Sequence, residues 1–158
     1  MDRATRAIGL ASGAGGFVKS QRTSYGYVLR LDPGEEVVAS LTAFARRENL
    51  RGGMISALGA VGETELGFFV RATSSYIRRT LKGEHEILAL TGNFSELDGE
   101  PFLHCHIIIA GEDFTAIGGH LFRAVVTVTC EAQIVVSAGT VLRVRRPDLG
   151  FNPLELPE

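Results

Sequence analysis

Three histidines share one short stretch, FLHCHIIIAGEDFTAIGGH, from Phe102 to His120. They are His104, His106 and His120, and the chain has only four histidines in 158 residues. Neutral imidazole binds divalent first-row metals, and three imidazoles suit zinc with a fourth position open to water or a ligand. Other first-row ions accept the same donors, so the donor set alone leaves the metal open between zinc and its neighbours. That chemistry needs all three rings at one point.

The local pattern predicts how they get there. Residues alternate faces along a strand. His104 and His106 therefore point one way with Phe102 and Ile108. Leu103, Cys105, Ile107 and Ile109 point the other way and form an apolar layer. A turn at Gly111-Glu112-Asp113 reverses the chain. A three-residue loop would pair Ala110 with Phe114 and set His120 opposite His104. Opposed residues share a face with Cβ atoms about 4.5–5.5 Å apart. A slip of one residue would turn His120 to the other face. The competing reading of an HxH strand is a hydrogen-bonded or exposed pair; the third histidine tips the balance toward a metal. His85 lies in another strand and reads as surface.

The elements that must hold this stretch are mostly strands. YGYVLRL, MISALGAV, LGFFV, YIRRTL, EHEILALTGNF, PFLHCHIIIA, FTAIGG, AVVTVTCEAQIVV and TVLRV are strand-like, with Gly, Ser and Asp-Gly punctuation between them. One segment, DPGEEVVASLTAFARRENL, reads as a helix over about residues 34–48. Asp32 stands as cap, Glu35 sits at capping-box spacing, and Val37, Val38, Leu41, Phe44 and Ala45 form an apolar face. The expected fold is α+β: a curved, mostly antiparallel sheet with one main helix. Residues 1–22 read as a flexible arm, 23–146 as a single domain, and 147–158 as an irregular tail.

Composition narrows the function. No apolar run approaches the roughly 18–20 residues of a membrane span. The N-terminus is too interrupted by glycine for a signal peptide. Cys105 and Cys130 lie in apolar runs without CxxC spacing, which fits reduced thiols and a cytoplasmic setting. Net charge is −2, against the basic surplus of a stand-alone DNA binder. The basic run RVRRP, Arg143 to Pro147, reads as a solvated strand edge. Glu131 interrupts VVTVTCEAQIVV and is either a pocket carboxylate or an edge residue; Glu86 raises the same pair of readings.

Three segments carry a family resemblance: GGMISALGAVGETELGFF, GEHEILALTGNFSELDGEPFLHCHIIIAGEDFTAIGGHLF, and the strand with Cys130-Glu131. Together they resemble the plant and prokaryote conserved (PPC) domain from about Ser24 to Arg145. The plant signature G-R-F-E-I-L appears here as Gly83-Glu84-His85-Glu86-Ile87-Leu88, with the Arg-Phe pair replaced. The resemblance implies a homotrimer of α+β subunits, with His104, His106 and His120 at a metal, and a regulatory or ligand-binding role. It also implies DNA as a partner. Plant members bind DNA through AT-hooks built on R-G-R-P, whereas Arg145-Arg146-Pro147 has no glycine between its arginines. A more distant resemblance in fold, to acetolactate decarboxylase, implies an alternative: a zinc enzyme acting on a small oxo or hydroxy acid. That chemistry needs an acid/base or arginine partner, for which Glu131 and Arg123 are the candidates.

Overall fold

The computed structural model describes residues 18–157. Residues 1–17, most of the expected arm, lie outside the described residues. The rest of that arm, Lys19–Arg22, forms strand β1. The chain then runs β2 (Gly26–Leu31), helix α1 (Val37–Arg47), β3 (Gly53–Val70), β4 (Ser75–Leu81), β5 (His85–Leu97), β6 (Glu100–Ala110), β7 (Ala116–Val136), β8 (Leu142–Arg143) and β9 (Leu154–Glu155). This is the expected α+β architecture: nine strands in one sheet and one α-helix among the described residues.

The pairing explains the curvature. β3 lies between β5 and β7 over part of its length, and β6 pairs with those same two strands. These four strands therefore close on themselves. The enclosed face carries Ile55, Val61, Leu90, Phe94, Ile107, Ile109, Leu121, Val126 and Ile134, all buried. Each such side chain contributes about 1.5–3 kcal/mol on leaving water. Helix α1 packs Val37, Leu41, Phe44 and Ala45 into the same cluster.

The helix begins three residues later than its spacing predicts. Glu36 is the cap: its carboxylate accepts from Val38 N at 3.1 Å and Ala39 N at 2.6 Å. Asp32 and Glu35 do make reciprocal contacts, but in the turn before the helix. Asp32 N donates to Glu35 Oε2 at 2.6 Å and Glu35 N to the Asp32 carbonyl at 3.2 Å. A capping-box pair closes a turn wherever it falls, and a second acidic residue beside it took the helix start.

Two pairs of expected strands are single long strands. MISALGAV and LGFFV both belong to β3, and FTAIGG and AVVTVTCEAQIVV both feed β7. The glycines and polar residues between them are absorbed as register shifts near Gly59–Leu66 rather than as turns. The tail over 147–158 is turn-rich but not wholly irregular. β9 within it pairs antiparallel with β8, and β8 lies parallel to β5.

Candidate functional site

β6 and β7 form a hairpin that carries all three histidines. Its loop is five residues, Gly111–Thr115, because the first closing pair is Ala110 with Ala116. Two local bonds hold the extra residues out of the ladder. Phe114 N donates to the Gly111 carbonyl at 2.9 Å, and Thr115 N donates to Asp113 Oδ1 at 2.9 Å. Phe114 takes a left-handed backbone, φ 59°, to complete the reversal. The three-residue loop is thus corrected, and His120 pairs with His106 rather than His104. The register moves by two residues, so every side chain keeps its face.

The three rings do converge. Their centroids are 5.1 Å (His104–His120), 5.2 Å (His104–His106) and 5.5 Å (His106–His120) apart. One nitrogen from each lies within 4.8 Å of the others. Nitrogens around a tetrahedral zinc at 2.0–2.1 Å stand about 3.3 Å apart. Small side-chain rotations therefore close this set on an ion. His104 and His120 are half-buried and His106 is exposed. Among the described residues, His120 Nδ1 is buried without a hydrogen-bond partner. A buried ring nitrogen without a partner is costly unless something outside the chain uses it.

Electrostatics keep these rings in the form a metal needs. Burial pushes His120 down to about 4, helped by the neighbouring imidazoles and by Arg78. Burial lowers His104 as well, reinforced by Arg143 and His106. Both are neutral bases at pH 7, each with one lone pair to give; that of His104 faces Arg143 Nη2 at 3.3 Å, a contact it would exchange for a metal.

Aromatic rings wall the site. Tyr76 and Phe122 stand 5.1 and 4.6 Å from the His120 ring, and Phe69 meets both Tyr76 and Phe151. Gly67, opposite His120 on β3, makes room for this. A Cβ there would meet Phe122 Cε2 at 2.4 Å and Tyr76 Cδ1 at 2.9 Å. The three histidines and these rings line one cavity of about 410 Å³, together with Phe102, Arg143 and the tail residues Gly150, Phe151 and Asn152.

Residues 18–139 match the Plants and Prokaryotes Conserved (PCC) domain. The chain belongs to this family. A crystal structure from Bacteroides thetaiotaomicron, named only provisionally as DNA-binding, superposes on the PCC chain with a TM-score of 0.85. The two are 30% identical, over 89% of this chain and 98% of that one. A protein from Archaeoglobus fulgidus described as metal-containing superposes with a TM-score of 0.76 and 28% identity, over 90% of this chain and 100% of that one. In sequence, the bifunctional protein GlmU of a Synechococcus strain is 34% identical over 132 residues. Those residues are 82% of this chain but 20% of that protein, so the PCC chain spans about a fifth of that relative's length.

The other candidates of the PCC chain lie apart from the histidines. Glu131 is exposed on the outer face of the sheet, beside Val28, Leu58 and Leu88. Arg123 pairs with Glu63 on the surface. His85 bonds the Gly83 carbonyl at 2.9 Å and sits among Glu84, Glu86 and Glu112; Glu86 is exposed, but it is not an edge residue, since it pairs with Ala60 of β3 on one side and Ala110 of β6 on the other. Cys105 and Cys130 are buried free thiols, pushed by burial up to about 12 and about 11, so neither is a nucleophile.

The residue that does reach the histidines is Arg143, which belongs to the run expected to be a solvated edge. β8 brings it across β5. Its Nε donates to Ser95 Oγ at 2.8 Å, Nη1 to the Asn152 carbonyl at 2.6 Å and Nη2 to Asn93 Oδ1 at 2.8 Å. Nη2 also stands 3.3 Å from His104 Nδ1. Its guanidinium lies over the Phe102 ring, 5.2 Å from the centroid. Alternation put Phe102 on the histidine face, but no local pattern separates Arg143 from the arginines beside it.

Proposed function

We propose that this PCC domain is a ligand-binding module built on a metal held by His104, His106 and His120, acting in a cytoplasmic, trimeric protein with a regulatory role. The observation that carries the reading is the convergence of three imidazoles, one with a buried, unpartnered nitrogen. Zinc is the ion we assign among the first-row metals that suit three imidazoles, and when bound it would supply Lewis acidity and a position open to a ligand. The metal-containing description of the Archaeoglobus neighbour supports the same assignment. Elemental analysis of untagged protein tests it: about one zinc per chain in the wild type, and none in a His104→Ala/His106→Ala variant. Equal metal in both removes the site from consideration.

A second reading, an enzyme acting on a small oxo or hydroxy acid, is favoured by the cavity beside the histidines. It predicts turnover of such acids by zinc-loaded protein and none after chelation.

Direct DNA binding, suggested by the name of the Bacteroides neighbour, draws less support from this chain. Net charge is −2. In the basic run, Arg145 pairs with Asp98 and Arg146 with Asp148, while Arg143 turns into the site. Binding to duplex DNA at ~150 mM salt decides the matter, since specific binders hold their sites there.

The trimer draws support from exposed apolar side chains on the outer sheet. Met54, Leu58 and Val135 are each more than half exposed, where water contact is unfavourable unless another subunit covers them. A monomer by light scattering would exclude it. Among the described residues no helix is long and apolar enough to cross a membrane.

A further inference from the structure

Arg143 is half-buried, and every acceptor that holds it is neutral. Ser95 gives a hydroxyl, Asn93 an amide oxygen, Asn152 a backbone carbonyl and His104 a ring nitrogen. Among the described residues no carboxylate pairs with it, although the arginines at 145 and 146 each have one. A cation taken partly out of water needs a counter-charge. A second cation at the histidines would sharpen that need, because the guanidinium already touches one of the three rings.

The geometry points to a small carboxylate, with an apolar or aromatic body, as the ligand of this cavity. Its carboxylate bridges Arg143 and the metal position, and its body rests on the aromatic wall. This deepens the metal reading above and rests on it. Three features select the class. Four of the five guanidinium N–H groups have partners, and one on Nη1 is left over; the contact to His104 is the longest of the set and the easiest to exchange. A planar carboxylate fits that fork. Apart from Gly150 and Asn152 of the tail, the remaining walls are the rings of Phe69, Tyr76, Phe102, Phe122 and Phe151, which suit carbon better than the further oxygens of a phosphate. A volume of about 410 Å³ accommodates a ring-sized acid.

The ligand also explains the tail. Asn152 and Phe151 reach the site only because β9 pairs with β8 and Gly150 turns the chain against the β3–β4 connection. A Cβ on Gly150 would lie 2.1 Å from the Ser74 carbonyl. The tail thus closes one side of the cavity over the guanidinium.

The test is calorimetric titration of zinc-loaded protein with benzoate, its neutral isostere benzamide, and inorganic phosphate. Benzoate is expected to bind roughly tenfold to hundredfold tighter than benzamide, the range of a charge-assisted contact. It should also bind more tightly than phosphate. In Arg143→Met and Arg143→Lys, zinc content by elemental analysis should persist. Met should abolish the preference for benzoate over benzamide, and Lys should restore only part of it. Equal binding of benzoate and benzamide to zinc-holding wild type overturns the inference, as does phosphate matching benzoate. So does an Arg143→Met protein that keeps its zinc and its preference. A wild type that holds no zinc sinks the metal reading and this inference with it, which separates the two failures. The wild-type comparison stands even if the variants fold poorly.

Discussion

His106 offers a clean separation between holding a metal and holding the fold. Its ring is exposed, and its ring neighbours are the other two imidazoles. Replacing it with alanine therefore removes little buried surface, and the metal-free protein should change by no more than about 0.5 kcal/mol. The metal-loaded protein should behave differently. At a free zinc concentration of 100 times Kd, binding stabilises the wild type by about 2.7 kcal/mol. For a chain of this length that corresponds to about 5–11 °C in Tm. Losing one of three ligands and weakening zinc by about a hundredfold leaves free zinc near Kd. The stabilisation then falls to about 0.4 kcal/mol, or under about 2 °C. The assay is thermal unfolding followed by circular dichroism, with and without zinc, for the wild type, His106→Ala and a His85→Ala control. The control should keep the full zinc-dependent shift. The reasoning is refuted if His106→Ala keeps that shift too. It is equally refuted if the metal-free variant melts well below metal-free wild type, because the ring would then be structural.

Three further outcomes follow from particular contacts. Gly67→Ala places a Cβ against Phe122 and Tyr76, and should cost about 1–3 kcal/mol in urea denaturation while weakening zinc retention; an unchanged urea midpoint contradicts that packing. Glu36→Ala strips the cap of α1 and also the acceptor for Ala124 N, 3.0 Å from Oε1. A loss of about 1–3 kcal/mol is expected, and a loss under about 0.5 kcal/mol would show that water replaces the carboxylate. In chelated protein, His120 carries a folded-state value of about 4, below its ordinary 6.5. The unfolded chain binds the proton first, so this contribution is complete above pH 6.5 and lost as pH falls toward 4. The stability advantage of wild type over His120→Gln should therefore shrink between pH 7 and pH 4.5, and a constant difference contradicts the buried, neutral ring.

The histidine face was legible because alternation is insensitive to where a hairpin closes, provided the error is even. Phe114 and Thr115 were held out of the ladder by bonds that sequence spacing does not reveal. The resulting shift of two residues exchanged His104 for His106 as the partner of His120 without turning any ring away. The helix was legible from its apolar face, but its start was not. Asp32 and Glu36 are both able to cap; the packing of Val37 into the core and the Glu36 bond to Ala124 N favour Glu36, while the Asp32 carboxylate pairs with Lys19 and Arg30. Arg143 was not legible at all. Its role depends on β8 lying parallel to β5, which brings it to Asn93 and Ser95 from about 50 residues away. Glu131 interrupts an apolar run. That interruption marks the outer face of β7, since the sheet needs a polar or partner-covered side there.

The most direct measurement is an anomalous difference map from crystals of untagged protein, collected at the zinc edge. The account predicts one peak per chain at about 2.0–2.1 Å from a ring nitrogen of each of His104, His106 and His120. A map from zinc-soaked crystals with no peak there, or with the peak at His85 instead, would contradict it.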